Sequence, residues 1–128
     1  MSDLISRLAD RDPSVPLALA ALVRDAGDDG VLDLPTLGIS YRETVVAARD
    51  AADEPGPELT SDEVHENLTR SVLPRLADEG WIAPAQGEEW SRIGAVGPWW
   101  EAAHADRAGT RARLLDAAIA GLRRRASL

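Results

Sequence analysis

Apolar residues at helical spacing predict two helices in the first half of the chain. The stretch VPLALAALVRDA can take Asp12 or Ser14 as its cap, has a proline near its first turn and stops at Gly27. The stretch YRETVVAARDAA follows Ser40, which lies three residues before Glu43, the spacing of a capping box. Each stretch carries apolar residues one turn apart, so each helix is expected to bury one face.

A third helix is expected after the loop at residues 53–60, which holds two Pro and one Gly. Thr60 lies three residues before Glu63, a second capping-box spacing, and Gly80 marks the C-terminal end. Apolar residues recur every four positions between these ends: Val64, Leu68, Val72 and Leu76. Pro74 has no amide hydrogen for the carbonyl four residues before it, and we expect it to kink the helix.

Short alternating stretches predict a small sheet. Residues 31–34 alternate apolar and polar positions and end at a proline. Residues 81–85 and 88–96 flank a Gln-Gly turn, which predicts an antiparallel hairpin. The strand at 31–34 can join this hairpin as a third strand.

The chain turns helical again after Gly97. Trp99 and Trp100 begin one segment, Gly109 interrupts it, and Thr110 caps a final helix. We expect one of the two adjacent rings in the core and the other at an interface or ligand pocket. The other two Trp residues are expected to pack against each other across the hairpin; they are Trp81 and Trp90.

The element order is therefore helix, short strand, helix, helix, hairpin and C-terminal helix. This order predicts a mostly α fold with a small β-hairpin, a winged helix-turn-helix with an additional C-terminal helix. We expect one winged-helix domain over residues 1–128, with its core over about 14–96 and C-terminal dimerisation helices over about 98–126.

The kind of charge indicates where the chain works. All 14 basic residues are Arg, and 22 acidic residues bring the formal net charge to −8. This composition fits a halophilic archaeon, where surface carboxylates hold water and cations and where molar salt shortens the Debye length to about 3 Å. It also fits an acidic protein of a GC-rich mesophile, and the sequence leaves both open, with the halophile favoured.

Several protein classes are excluded by what the chain lacks. It has no Cys, and therefore no disulfide, thiol nucleophile or thiolate metal site. No apolar run reaches the roughly 18–20 residues of a membrane span, and the N-terminus lacks a signal pattern. We therefore expect a cytoplasmic protein with no membrane partner.

The end of the third helix carries a specific motif. The run LPRLADEG at 73–80 is followed by Trp81 and Ile82; its Leu residues pack on the first two helices and its Gly permits the turn into the wing. The run resembles haloarchaeal winged helix-turn-helix transcriptional regulators, over 68–82 in motif and 14–95 in element order. The resemblance implies a homodimeric regulator that binds double-stranded DNA and needs no cofactor.

The face of the third helix opposite its apolar stripe is the expected DNA reader. Asn67 suits adenine, and Arg70 suits guanine or a phosphate. Arg42 and Arg92 are expected to hold phosphates. The candidate DNA-binding residues are Asn67, Thr69, Arg70, Arg42 and Arg92.

The same face also carries Glu63 and Glu66, and the predicted wing turn is acidic. Carboxylates near DNA cost binding energy unless one accepts from cytosine or bound cations bridge it to phosphate. The alternative function is therefore a winged-helix interaction module without DNA binding, which docks a protein partner through its acidic face.

The last helix has an apolar stripe that can pack within the chain or across a twofold axis. The stripe consists of Leu114, Leu115, Ala118, Ile119 and Leu122. We favour a homodimer, which matches palindromic half-sites. Residues 111–128 also contain five Arg and one Asp. Three of these Arg lie in the last turn, where positive charge interacts favourably with the helix dipole. The same three residues can also contact a phosphate or an acidic partner.

No motif indicates an enzyme. The chain has no nucleophile elbow and no glycine-rich phosphate loop. His65 and His104 have acidic neighbours, but adjacent side chains on a helix point in different directions. We expect polar surface at both His residues, and no catalytic site, metal or cofactor.

Overall fold

The computed structural model describes residues 12–85, 87 and 89–127. Five helices and two strands lie in this part of the chain: α1 (Ser14–Asp25), β1 (Val31–Asp33), α2 (Leu34–Ala52), α3 (residues 61–78), β2 (Arg92–Gly94), α4 (Pro98–Ala105) and α5 (Arg107–Ala126). The coarse prediction of a mostly helical chain with a small antiparallel sheet is confirmed. None of the described helices has the length and apolar character needed to cross a membrane.

α1 lies at the centre of the molecule. Its residues from Val15 to Val23 are all buried, because a helix that is apolar on every side must be enclosed. α2 and α5 pack along it, and the middle of α3 also contacts it. Asp12 caps its start, since the Asp12 carboxylate accepts a hydrogen bond from the Ser14 amide at 3.0 Å.

α2 begins earlier than the sequence predicts. It starts at Leu34, directly after β1, because the Asp33 carboxylate accepts a hydrogen bond from the Thr36 amide at 3.0 Å. Pro35 lies in this first turn, where its missing amide hydrogen costs nothing. The predicted cap at Ser40 is wrong, because this residue is buried within α2.

α3 begins with the predicted capping box. The Glu63 amide donates to the Thr60 hydroxyl at 3.2 Å, and the Thr60 amide donates to the Glu63 carboxylate at 3.4 Å. Each residue thereby satisfies an amide that the helix leaves without a partner.

The prediction at Pro74 is a kink, and the structure has a π-helical segment just before this residue. α3 is α-helical over Ser61–Asn67, π-helical over Leu68–Val72 and α-helical again over Leu73–Asp78. The Leu73 amide bonds to the Leu68 carbonyl, five residues back, immediately before the proline. The wider turn accommodates a residue that cannot donate a backbone hydrogen bond.

The predicted antiparallel pairing between the stretch after α3 and the stretch before α4 is present as a single bridge, and the predicted third strand joins the sheet as β1. β1 pairs antiparallel with β2, with Val31 opposite Gly94. In the described chain, the stretch after α3 joins β2 through an isolated bridge between Ile82 and Ala95. Pro84 follows this bridge and has no amide hydrogen to extend the pairing.

Trp81 forms an aromatic cluster with Trp99 and Trp100 in the first turn of α4. Trp81 packs edge-to-face against Trp99, with 5.5 Å between ring centroids, rather than against the predicted Trp90. The Trp99 ring nitrogen donates to the Trp81 carbonyl at 2.9 Å. Trp99 and Trp100 are both buried, so the expectation that one ring serves an interface or ligand pocket is wrong for the chain by itself.

The break between the C-terminal helices falls at Asp106 rather than at Gly109. The Asp106 carboxylate accepts a hydrogen bond from the Gly109 amide at 3.0 Å and caps α5. Thr110, the predicted cap, is buried inside α5.

The apolar stripe of α5 packs within its own chain. Leu114 and Ala118 are 2% and 0% exposed, against the core formed with α1. Their assignment to a dimer interface is therefore corrected: both are core residues. Leu115, Ile119 and Leu122 are half-buried against the same core. Homodimerisation itself stays a prediction.

Candidate nucleic-acid interface

The outward face of α3 carries one ion pair and additional exposed carboxylates. The Arg70 guanidinium forms an ion pair with the Glu66 carboxylate at 3.0 Å, one turn earlier on the helix. The Arg70 side chain is 78% exposed, so it reaches solvent despite this pair. Asp62 and Glu63 are also exposed at the N-terminal end. The face therefore carries more carboxylates than guanidinium groups.

Two of the predicted reader residues on α3 are hydrogen-bonded to their own chain. The Asn67 amide nitrogen donates to the Tyr41 hydroxyl at 3.3 Å. Tyr41 is buried, and this burial raises the pKa of its hydroxyl. The Thr69 hydroxyl donates to the His65 carbonyl at 2.8 Å. Asn67 therefore helps to attach α3 to α2, and Thr69 bonds within α3.

The two predicted phosphate ligands lie on other elements. Arg42, on α2, is 3.7 Å from the Glu58 carboxylate. Arg92, on β2, is exposed and pairs in register with Asp33 of β1. The predicted cationic residues Arg42, Arg70 and Arg92 thus lie on three separate elements, each near a carboxylate of its own chain.

An apolar groove lies between α2 and α3. It has a volume of about 840 Å³ and is lined along α2 by Gly38, Ile39 and Val46. Val64 and Leu68 of α3, both buried, line its other side. The groove thus combines a packed base with exposed apolar groups at its opening.

The rim of this groove is mostly acidic. Glu43 and Asp50 of α2 and Asp62 of α3 line it, together with Arg42 and His65. Glu43 is paired with Arg24 at 2.9 Å. Asp50 and Asp62 form no ion pair with any residue that the structure describes.

This groove was not predicted from the sequence, because the capping-box spacing at Ser40 predicts a start of α2 at residue 41. Once the helix begins at Leu34, Ile39 and Val46 lie seven residues apart on one face. The buried face of α2 is separate and is formed by Leu37, Tyr41, Val45 and Ala48. The signal was therefore a second apolar stripe on a helix that already had one.

The basic residues of α5 are partly structural. Arg123 donates to the Ala51 carbonyl at 2.9 Å, near the C-terminal end of α2. Arg107 donates to carbonyls at the end of α1, including that of Ala26 at 2.7 Å. These two guanidinium groups hold helix ends and are not spare phosphate ligands.

Neither His residue belongs to a metal cluster in the described chain. His104 stacks on Trp100 and its ring nitrogen Nδ1 lies 3.3 Å from the Arg107 guanidinium. His65 lies on the rim of the groove.

Comparison with protein-family models, with curated proteins and with solved structures finds no match for the chain.

Proposed function

We propose that the chain is a winged helix-turn-helix protein that binds double-stranded DNA through α3. The arrangement of the elements around α3 supports this proposal. α3 follows two helices that pack together, buries its apolar stripe and leaves its opposite face in solvent. Residues 81–83 and β2 then lead the chain back to β1, as in a wing.

The ion pair on α3 is weak enough to exchange for a phosphate or a base. Exposed pairs one turn apart on a helix contribute about 0.3–0.5 kcal/mol. A guanidinium bound to guanine discriminates by about 1–3 kcal/mol. Arg70 can therefore leave Glu66 for DNA at a small cost.

The neighbouring carboxylates define the conditions under which binding is expected. Asp62, Glu63 and Glu66 repel phosphates at low salt. Molar KCl screens this repulsion and supplies cations that can bridge carboxylate and phosphate. The proposal therefore places the protein in a salt-rich cytoplasm and expects an affinity that persists in molar KCl, unlike the usual loss with salt.

Variants of the ion pair test the proposal. Genomic fragments are first selected on the full chain, sequenced, and used as labelled probes at low and molar KCl. Arg70→Ala is expected to weaken binding to the selected site by about tenfold or more, because a direct contact is lost. Glu66→Gln is expected to strengthen binding, because it removes a repelling charge and releases Arg70. Arg113→Ala, on the exposed side of α5, is the control for loss of one positive charge.

Two results would count against DNA binding through α3. One is the absence of any enriched fragment at either salt concentration. The other is equal affinity for the parent chain, Arg70→Ala and Arg113→Ala, which would remove the helix from the interface. An enriched palindrome would also support the predicted homodimer, which sedimentation of the free chain measures directly.

A second candidate function rests on the acidic face of α3. A module that docks a basic protein surface there would depend on Glu63 and Glu66. Glu66→Gln separates the two functions by the sign of its effect, since it would weaken a basic protein partner and strengthen DNA.

A further inference from the structure

We propose that the groove between α2 and α3 is the docking site for an amphipathic helix of a partner protein with Arg or Lys beside its apolar residues. Three features of the groove support this site: exposed apolar side chains, a glycine in its α2 lining and a mostly acidic rim. Docking at this site does not depend on DNA binding by α3.

The most exposed apolar side chains of the described chain converge on this groove. Ile39 is 65% exposed and Val46 is 47% exposed. Single exposed apolar residues are ordinary on a protein surface, but a contiguous apolar patch with a polar rim marks an interaction site. Here the two side chains lie two turns apart on α2 and flank the same cavity of about 840 Å³.

Gly38 lies within α2 although the fold does not require a glycine there. A Cβ added at this position would meet no atom within 4 Å, and the backbone does not have a positive φ. Glycine lowers helix stability relative to alanine, so its occurrence points to something outside the chain. The missing side chain lets a second helix approach the α2 backbone closely.

The charge of the rim selects the kind of helix. Asp50 and Asp62 form no ion pair with a described residue, whereas Glu43 on the same rim is paired with Arg24 and Arg42 with Glu58. A cationic residue on either side of the apolar face of a partner would meet these carboxylates. A partner helix with Asp or Glu at these positions would instead meet like charges.

The length of the groove sets the length of the partner. Its α2 side runs from Leu34 to Asp50, about 24 Å at 1.5 Å per residue. A partner helix of about four turns, with apolar residues at i, i+3 or i+4, and i+7, would cover it.

A labelled synthetic peptide provides the probe. It is a helix of about 16 residues with a Leu stripe and Arg on both flanks, and matched peptides carry Gln or Glu in place of Arg. Anisotropy with the full chain is expected to rank the peptides Arg, then Gln, then Glu. Amide shifts in an NMR spectrum are expected to be centred on Gly38, Ile39 and Val46.

Variants locate the binding site. Gly38→Leu places a side chain in the groove at a position where an added Cβ meets no atom within 4 Å. We expect affinity for the Arg peptide to fall at least about tenfold. Val96→Ala removes an exposed apolar side chain outside the groove and is expected to leave affinity unchanged. The double variant Asp50→Asn, Asp62→Asn is expected to weaken the Arg peptide several-fold and to leave the Gln peptide unchanged.

Three outcomes would overturn the inference. Gly38→Leu that keeps its helical circular-dichroism spectrum and binds the Arg peptide as the parent chain does would exclude the groove. Equal affinity for the Arg and Glu peptides would exclude charge selection. A dimer of the parent chain that Gly38→Leu converts to monomer would assign the groove to a second copy. None of these results bears on Arg70, so DNA binding is judged separately.

Discussion

Arg107 caps the C-terminal end of α1, the central helix, from another part of the chain. Its guanidinium donates to the carbonyls of Val23 at 3.2 Å, Ala26 at 2.7 Å and Gly27 at 3.2 Å. It also lies 5.1 Å from the centre of the Trp100 ring. Carbonyls at the end of a buried helix need partners from elsewhere in the fold, and a planar guanidinium can supply several at once.

Arg107→Lys is expected to lower the free energy of unfolding by about 1–3 kcal/mol, because one ammonium group cannot replace the fork of donors. Urea unfolding followed by circular dichroism measures the change. Arg113→Lys on the same helix is the control, since Arg113 is exposed and, among the described residues, bonds only to Thr110 in its own turn. Equal stability of the two variants would contradict the role assigned to Arg107.

Residue roles were predictable where the partner is close in sequence. The capping box of Thr60 and Glu63 spans three residues, and the sequence predicts it correctly. The carbonyl partners of Arg107 lie 80 or more residues away, and no local pattern indicates them. Tyr41, the partner of Asn67, is on another helix, so no local pattern indicates this hydrogen bond either.

At the scale of elements, α2 depends on a cap at the end of β1. The Asp33 carboxylate accepts hydrogen bonds from the Thr36 amide and hydroxyl. These bonds, the amide bond foremost, hold the pKa of Asp33 below its usual range. The charged form is therefore favoured in the folded chain.

This cap predicts a pH dependence. The pKa of Asp33 is lower in the folded state than in the unfolded state. The Asp33 carboxylate therefore makes its full contribution to the free energy of unfolding above the unfolded-state pKa of about 3.9. This contribution is lost as pH falls through the lower, folded-state pKa. Asp33→Asn keeps a cap without this carboxylate. As pH falls from about 5 to about 2, we expect the free energy of unfolding, measured with urea, to decrease more for the parent chain than for Asp33→Asn. If the free energy of unfolding changes equally with pH in the two chains, the role of the Asp33 carboxylate as a cap is contradicted.

The bounds of elements were less predictable than their existence. Pro35 ends a strand in one interpretation and opens a helix in another, and only the neighbouring Asp33 decides between them. Asp106 and Gly109 both interrupt a helical pattern, and the capping carboxylate fixes the break at Asp106. The misplaced start of α2 is also why the groove was missed.

At the scale of the whole molecule, α5 completes the enclosure of α1. α1 is buried on all sides only because α5 packs along it. The sequence left open whether the α5 stripe packs within the chain or between two chains, since both bury the same residues. The charge pattern of α3 was predictable, but its ion pair and the positions of Arg42 and Arg92 follow from the fold.

Leu114→Ala is expected to lower the free energy of unfolding by about 2–5 kcal/mol, because it leaves a cavity against α1. Leu115→Ala, at a half-buried position, is expected to cost less. Urea unfolding at two protein concentrations measures both variants. If the decrease in the free energy of unfolding caused by Leu114→Ala depends on protein concentration, Leu114 belongs to a subunit interface.

Because of its π-helical segment, α3 contains one residue more than a regular α-helix with the same buried face. Its buried positions at 64, 68, 72, 73 and 76 do not follow a straight α-helix. Deletion of one residue between 69 and 71 would place them at i, i+4, i+7, i+8 and i+11, the spacing of an ordinary amphipathic helix. A chain with one residue fewer at this point would therefore keep both the buried face and the outer face of α3, with a regular α-helical turn in place of the π-helical one.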